Sequence, residues 1–197
     1  MTHLIIYAHP SEDSFSKQLV ERIKGYSETL NKVIVRDLYE MNFNPVLTKE
    51  ELKQLKNGNI AKDVDQEQEY FEEADIISFV YPLWWASYPA ILKGYIDRVL
   101  AYGFGYQVGE NGLEGLLGGR GVILHTSMGN AITEEDEEKL LPNLTLTQGQ
   151  EVFGFCDMEV MQHFFYPQIM SITNQEKEDF IVSTVEFYKE LFISDRN

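Results

Sequence analysis

The chain has 197 residues, 44% of them hydrophobic and 24% charged, and carries a formal net charge of −16. That length is most simply one domain, residues 1–197, with chain enough for a sizeable core. So acidic a balance excludes DNA, RNA or an anionic membrane as the main partner, because those need a basic face, yet it leaves a phosphorylated cofactor open, since helix N-termini bind phosphate without lysine.

Short apolar runs alternate with helical segments along the chain. Residues 4–8 read as the first strand. The loop His9-Pro10-Ser11-Glu12-Asp13 follows, then a helix over 14–27 and a second strand over 33–38. Thr48 and Glu51 form a capping-box pattern whose helix should stop near Asn57-Gly58. A further helix covers 65–73, and the acidic clusters at 67–75 and 134–138 read as solvated helix faces. The third strand, 76–80, runs into Tyr81-Pro82-Leu83-Trp84-Trp85-Ala86-Ser87-Tyr88, a loop holding both tryptophans, and then a helix over 89–100. On that helix Ile91, Leu92, Tyr95, Ile96 and Val99 form a core stripe, with Asp97 and Arg98 at the surface or an interface. Residues 102–119 read as a long Gly-rich loop. The fourth strand is 122–126, a mostly helical stretch spans 140–155, and the fifth strand is 159–165. Thr173 and Glu176 offer a second capping box that opens a C-terminal helix to Phe192.

Strands alternating with helices imply βαβ units around a parallel sheet, and continuous apolar strands imply cover on both faces. Five such units predict an α/β, flavodoxin-like three-layer fold with strand order 2-1-3-4-5, whose ligands bind beyond the carboxyl ends of the strands at the switch between strands 1 and 3. Three loops should converge there. The His9 loop leads through Ser14, Phe15 and Ser16 into a helix N-terminus, either an anion site or an ordinary serine cap. The tryptophan loop is a seat for a flat aromatic ligand or a packed tryptophan pair. His125-Thr126-Ser127-Met128-Gly129-Asn130 offers hydroxyls and N–H groups to the polar edge of a heterocycle, or is a plain turn.

The four histidines show no metal-ligand spacing, and no Gly-x-Ser-x-Gly elbow is present, so neither a metal site nor a serine hydrolase is expected. Cys156, the single cysteine, reads as a small core residue. No stretch nears the roughly 20 apolar residues of a membrane span, and no signal-type segment opens the chain, so a cytoplasmic protein without membrane insertion is expected.

These residues together resemble the NAD(P)H:quinone reductases of flavodoxin-like fold, the DT-diaphorase-like family in its shorter bacterial branch. The matching pieces are Ala8-His9 with Ser14-Phe15, Asp37-Leu38-Tyr39 with Met41-Asn42-Phe43-Asn44-Pro45, and Pro82-Leu83-x-Trp85 with Pro89-Ala90-Ile91-Leu92-Lys93-Gly94. Arg98-Val99, Phe104-x-Tyr106, Thr126-Ser127-x-Gly129 and Phe155-Cys156 complete the set. The resemblance implies a flavin whose phosphate meets His9, Ser14, Phe15 and Ser16. The flavin ring would lie along Pro82, Leu83, Trp84 and Trp85, with its polar edge at Thr126, Ser127, Met128 and Gly129. It implies a substrate pocket with Phe104 and Tyr106, completed by a second subunit of a homodimer. The activity implied is ping-pong hydride transfer from NAD(P)H to a quinone or similar aromatic acceptor. A family histidine beside the flavin falls here at Glu138, which leaves water or Tyr106 to supply the proton. Residues 48–63 resemble an adenine-covering insertion of FAD forms, whereas Asp13 and Ser16 replace residues that meet the pyrophosphate in those forms, so FAD is expected with FMN as the alternative. Relatives that serve as regulatory subunits of potassium efflux systems, and flavodoxin-like electron carriers, are the other readings.

Overall fold

The computed structural model describes residues 1–110 and 112–194. Five parallel strands form the sheet: β1 (Thr2–Tyr7), β2 (Lys32–Asp37), β3 (Ile76–Pro82), β6 (Gly121–Ser127) and β7 (Glu159–Tyr166), in the spatial order β2-β1-β3-β6-β7. This is the expected 2-1-3-4-5 order once β4 (Tyr106–Gly109) and β5 (Gly112–Gly115) are set aside as a separate antiparallel hairpin. The stretch read from sequence as one long loop, 102–119, is therefore partly a hairpin. Its four-residue strands are too short and too exposed to show an alternating apolar pattern. The helices are α1 (Phe15–Ser27), α2 (Lys49–Leu55), α3 (Lys62–Glu73), α4 (Ala90–Val99), α5 (Leu141–Thr145) and α6 (Asn174–Ser194). Wider π-helical turns flank α5 over Asp136–Leu140 and Leu146–Gln150. No helix among the described residues is long and apolar enough to cross a membrane.

The central strands are buried on both faces, and their alternation sorts the core into two. Leu4 and Ile6 of β1 with Ala8 just after it, Ile77, Phe79 and Tyr81 of β3 and Val122 and Leu124 of β6 face Phe71, Leu92, Tyr95 and Phe153. Ile5, Tyr7, Ile76, Val80 and Ile123 face the other way, onto Phe15, Leu19 and Ile23 of α1 and Tyr188 and Phe192 of α6. Ser14 caps α1 by accepting from the Lys17 amide at 3.0 Å, and Thr173 and Glu176 satisfy each other's backbone amides at the start of α6.

The first capping box is only half made. Thr48 accepts from the Glu51 amide, but the Glu51 carboxylate turns away to Arg98, at 2.8 Å. Arg98 also holds Asp63 at 2.7 Å and the Asn44 carbonyl at 2.8 Å, and it is 3% exposed. One turn earlier on α4, Gly94 lets this segment approach, because a Cβ there would fall 2.1 Å from the Pro45 oxygen. Arg98 is thus a buried clamp and not the surface residue that its place on the helix suggested. Glu67, read as part of a solvated face, is also buried, pairing with Arg36 at 2.6 Å and accepting from the Tyr95 hydroxyl at 3.0 Å.

Two buried polar chains run through the core. On the α1–α6 side the Thr184 hydroxyl donates to the Phe180 carbonyl, so Tyr166 must donate to Thr184 (2.8 Å) and accept from His125 Nδ1 (2.8 Å). The same one-proton rule carries on: Tyr188 donates to His125 Nε2 (2.7 Å), Ser78 to Tyr188 (2.6 Å), His3 Nε2 to Ser78 (2.8 Å) and Ser27 to His3 Nδ1 (3.0 Å). On the other side Thr126 is hydrogen-bonded to His163 Nε2 at 2.8 Å, and His163 Nδ1 to the Thr145 hydroxyl at 3.2 Å. His125 and His3 each give one proton and take one, the pattern of a neutral ring. Burial accordingly pulls the pKa of His3 and of His163 down to about 3 and holds that of His125 well below its ordinary value.

Arg98→Met, which leaves Glu51 without its partner, is expected to cost about 3 kcal/mol and to lower the urea midpoint at unchanged slope; an unchanged midpoint would mean that the clamp is worth no more than a surface pair. For the histidines the folded pKa lies below the unfolded 6.5, so their stabilisation is present above that pH and is lost as pH falls from there through the folded values. Unfolding free energy should therefore drop between pH 6.5 and 5, above the carboxylate range, by ~1.4 kcal/mol per pH unit for each buried histidine at the limiting slope. A flat profile would show that the folded rings take up protons as readily as the unfolded ones.

Candidate functional site

A cleft of about 970 Å³ opens beyond the carboxyl ends of β1, β3 and β6, at the upper end of the usual range for ligand sites. Its first wall is the β1–α1 loop, with His9, Ser11, Asp13 and the start of α1. The Ser14 hydroxyl, already the cap of α1, is 3.1 Å from the Tyr7 hydroxyl, and Ser16 reaches across to Ser127 at 3.2 Å. The first-turn amides of Phe15 and Ser16 have no acceptor within the helix, so an anion finds N–H donors, three serine hydroxyls and the positive end of α1 together. His9 accepts from the Ser11 amide at Nδ1 (3.0 Å), and partial burial lowers its pKa. Lys17 points elsewhere, to Asp37 and Glu12.

The second wall is the β3–α4 loop. Pro82 and Leu83 leave the sheet with the Leu83 amide donating to the Ser127 carbonyl at 2.8 Å. Trp84 and Ser87 then exchange both backbone hydrogen bonds, at 3.1 and 3.0 Å. They close a tight turn whose two central residues, Trp85 (φ +52°) and Ala86 (φ +54°), are left-handed. That is the conformation of an Asn-Gly turn, adopted here by residues that disfavour it. Trp85 stands fully in solvent and Trp84 is 41% exposed, its ring 6.3 Å from that of His9. The possibility of a packed tryptophan pair is thereby excluded: both indoles face outward on the cleft rim.

The third wall is Ser127, Met128, Gly129 and Asn130, stitched to the end of β7 by the Met128 amide on the Tyr166 carbonyl and the Ile169 amide on the Met128 carbonyl. Thr126 is not on this wall; it is buried beneath it, on His163. Asp136, Leu140, Ile169, Met170 and Lys177 complete the lining, and Lys177 is the one lysine or arginine among the described lining residues. Sequence reasoning passed over this fourth segment. The signal was present in the Thr173 capping box, which starts α6 at the same carboxyl edge of the sheet. Glu138 is exposed and does not line the cleft, whereas Asp136 does.

Phe104 and Tyr106 lie elsewhere in this chain. Phe104 packs edge-on to Phe71 at 6.4 Å. Tyr106 sits between Tyr102 and Phe155 and lines a separate apolar groove of about 560 Å³ with Leu52, Leu55, Ile96 and Leu100. Cys156 is buried beside that groove with its thiol pushed up to about 11. Among the described residues no three His, Cys, Asp or Glu side chains gather as a metal site.

Residues 1–190 match the family described as flavodoxin-like fold. An uncharacterized NAD(P)H oxidoreductase of Haemophilus influenzae is 38% identical over 183 residues, 92% of this chain and 91% of its own length. The solved NAD(P)H:quinone oxidoreductase of Methanothermobacter marburgensis is 30% identical, with a TM-score of 0.74 over 94% of this chain and 96% of that one. The FMN-dependent NADH-azoreductase of Bacillus anthracis, solved with FMN, has a TM-score of 0.79 over 100% of this chain and 99% of that one at 20% identity, a likeness of fold.

Proposed function

Because the chain belongs to the flavodoxin-like-fold family, among its NAD(P)H:quinone-reductase-like members, we propose that it is a flavin-dependent NAD(P)H:acceptor oxidoreductase acting on quinones or similar flat aromatics. The observation that carries this reading is the meeting, in one cleft at the strand-order switch, of an anion-binding helix start and two outward-facing indoles. Ser14, Ser16 and the amides of Phe15 and Ser16 would hold the flavin phosphate. Pro82, Leu83, Trp84 and Trp85 would lie along the ring system, and Ser127, Met128 and Gly129 would offer N–H and hydroxyl groups to its polar edge. Thr126 would act from beneath, by fixing the loop. FAD is the flavin proposed, with FMN the alternative, because the cleft is large and Lys177 offers a cationic contact for a diphosphate besides the N–H groups at the start of α1.

When bound, the flavin supplies hydride acceptance and donation. The residues of this chain orient the reactants and keep water from the stacked faces. One open aromatic face serves both nicotinamide and acceptor, so the two take turns, which is a ping-pong order. Phe104 and Tyr106 lie outside the cleft of their own chain, which supports a homodimer in which a second copy brings them to the substrate, with Tyr106 as proton donor. Reaction in the cytoplasm completes the reading.

Cofactor released from purified protein should be FAD; FMN would keep the reaction class and change the cofactor, and protein that neither carries nor takes up a flavin would refute the proposal. Ser16→Asp, which sets a carboxylate against the phosphate, is expected to weaken flavin binding about tenfold or more; unaltered affinity would move the phosphate away from α1.

A further inference from the structure

Gln148 is 3% exposed and lies in the π-helical turn Leu146–Gln150, far in sequence from the tryptophan turn. Such widened turns displace a side chain from its regular helical position and occur often at functional sites. Here the widening seats Gly149 against Val160 and Leu124, with space for a Cβ only 3.2 Å from Val160. It aims the neighbouring Gln148 inward. The Gln148 side chain accepts from the Tyr81 hydroxyl at 2.8 Å and donates through Nε2 to the Ala86 carbonyl at 3.2 Å, while its own carbonyl accepts from the Tyr88 hydroxyl. Tyr81 and Tyr88 stand on either side of the tryptophan turn in sequence, and Ala86 is one of its two left-handed residues. A left-handed alanine next to a left-handed tryptophan persists only where surrounding structure holds it. Beyond the turn's own pair of backbone bonds, Gln148 is the one side chain among the described residues seen to hydrogen-bond the backbone of residues 84–87.

We propose that Gln148 is a positioning residue that locks the Trp84–Ser87 turn in its left-handed form and so presents the two indoles to the ligand. Tyr81 fixes the amide orientation: its hydroxyl donates to Oε1, which directs Nε2 to Ala86. The effect on flavin affinity rests on the functional reading above; the effect on the turn does not.

Both tryptophans of the protein stand on this turn, so tryptophan emission anisotropy of the flavin-free protein reports the turn alone. In Gln148→Leu the anisotropy should fall and the flavin Kd rise about tenfold, the scale of one lost hydrogen bond. Adding Ala86→Gly, which takes the left-handed conformation without a steric penalty, should return both to the wild-type level. Recovery by a backbone change on the rim cannot repair packing around residue 148, so it separates positioning from a merely structural role. Gln148→Met carries the same expectations if the leucine variant does not fold. Unchanged anisotropy and Kd, or a loss that Ala86→Gly leaves in place, would overturn the proposal. If the wild-type protein binds no flavin, the functional reading fails, and the anisotropy series decides the role of Gln148 by itself.

Discussion

A parallel sheet covered on both faces keeps water from any polar side chain placed in it, so each such group must find its partner inside the protein. This chain puts His3, Ser78, His125, Thr126 and His163 into the strands of such a sheet. The consequence is a pair of buried hydrogen-bond networks, one on each side of the sheet. Every hydroxyl has a single proton to give, so the first donation, from Thr184 to a helix carbonyl, sets the direction of the whole α1–α6 chain and the tautomer of both imidazoles in it. These chains tie α6, β1, β3, β6 and β7 into one body. They also bring the ordered part of the structure up to the carboxyl edge of the sheet, where Ser127 and the turn after β3 meet solvent.

At that edge the physical priorities reverse. Inside, large aromatic rings are buried and tyrosine hydroxyls paired. On the rim, two indoles stand exposed on a turn whose backbone favours glycine or asparagine. Exposure and unfavourable backbone together make sense for a surface that a flat ligand covers. The anion-binding start of α1 lies across the same cleft, so one ligand with a phosphate at one end and a planar ring at the other satisfies both walls. The clamp of Arg98 and Gly94 serves the same architecture at a distance, fixing the segment after β2 against α4.

The sheet was readable from sequence because each strand is a compact apolar run: 4–8, 76–80 and 122–126 need no context to be recognised. The three loops at its carboxyl edge followed from strand order. What stayed hidden depends on contacts between residues far apart in the chain. Glu67 and Arg98 look like surface charges, since helical spacing shows which face a residue is on and not whether another segment covers that face. Thr48 and Glu51 look like a complete capping box until Arg98, 47 residues on, takes the carboxylate. The β4–β5 hairpin is too short for periodicity. Gln148 carries no local signal at all, for in sequence nothing sets it apart from Gln150, the exposed glutamine two residues on. Thr126 was placed in the right loop, but its β-strand parity turns it inward to His163.

The central claim is that a flavin lies against the tryptophan turn at the carboxyl edge of the sheet. Titrating flavin-free protein with FAD or FMN while following tryptophan emission tests this most directly, because no tryptophan stands anywhere else in the chain. The account predicts saturable loss of most of the emission, with transfer of excitation to the bound ring. A flavin that binds, by equilibrium dialysis, without quenching either indole would contradict it and place the cofactor elsewhere on the protein.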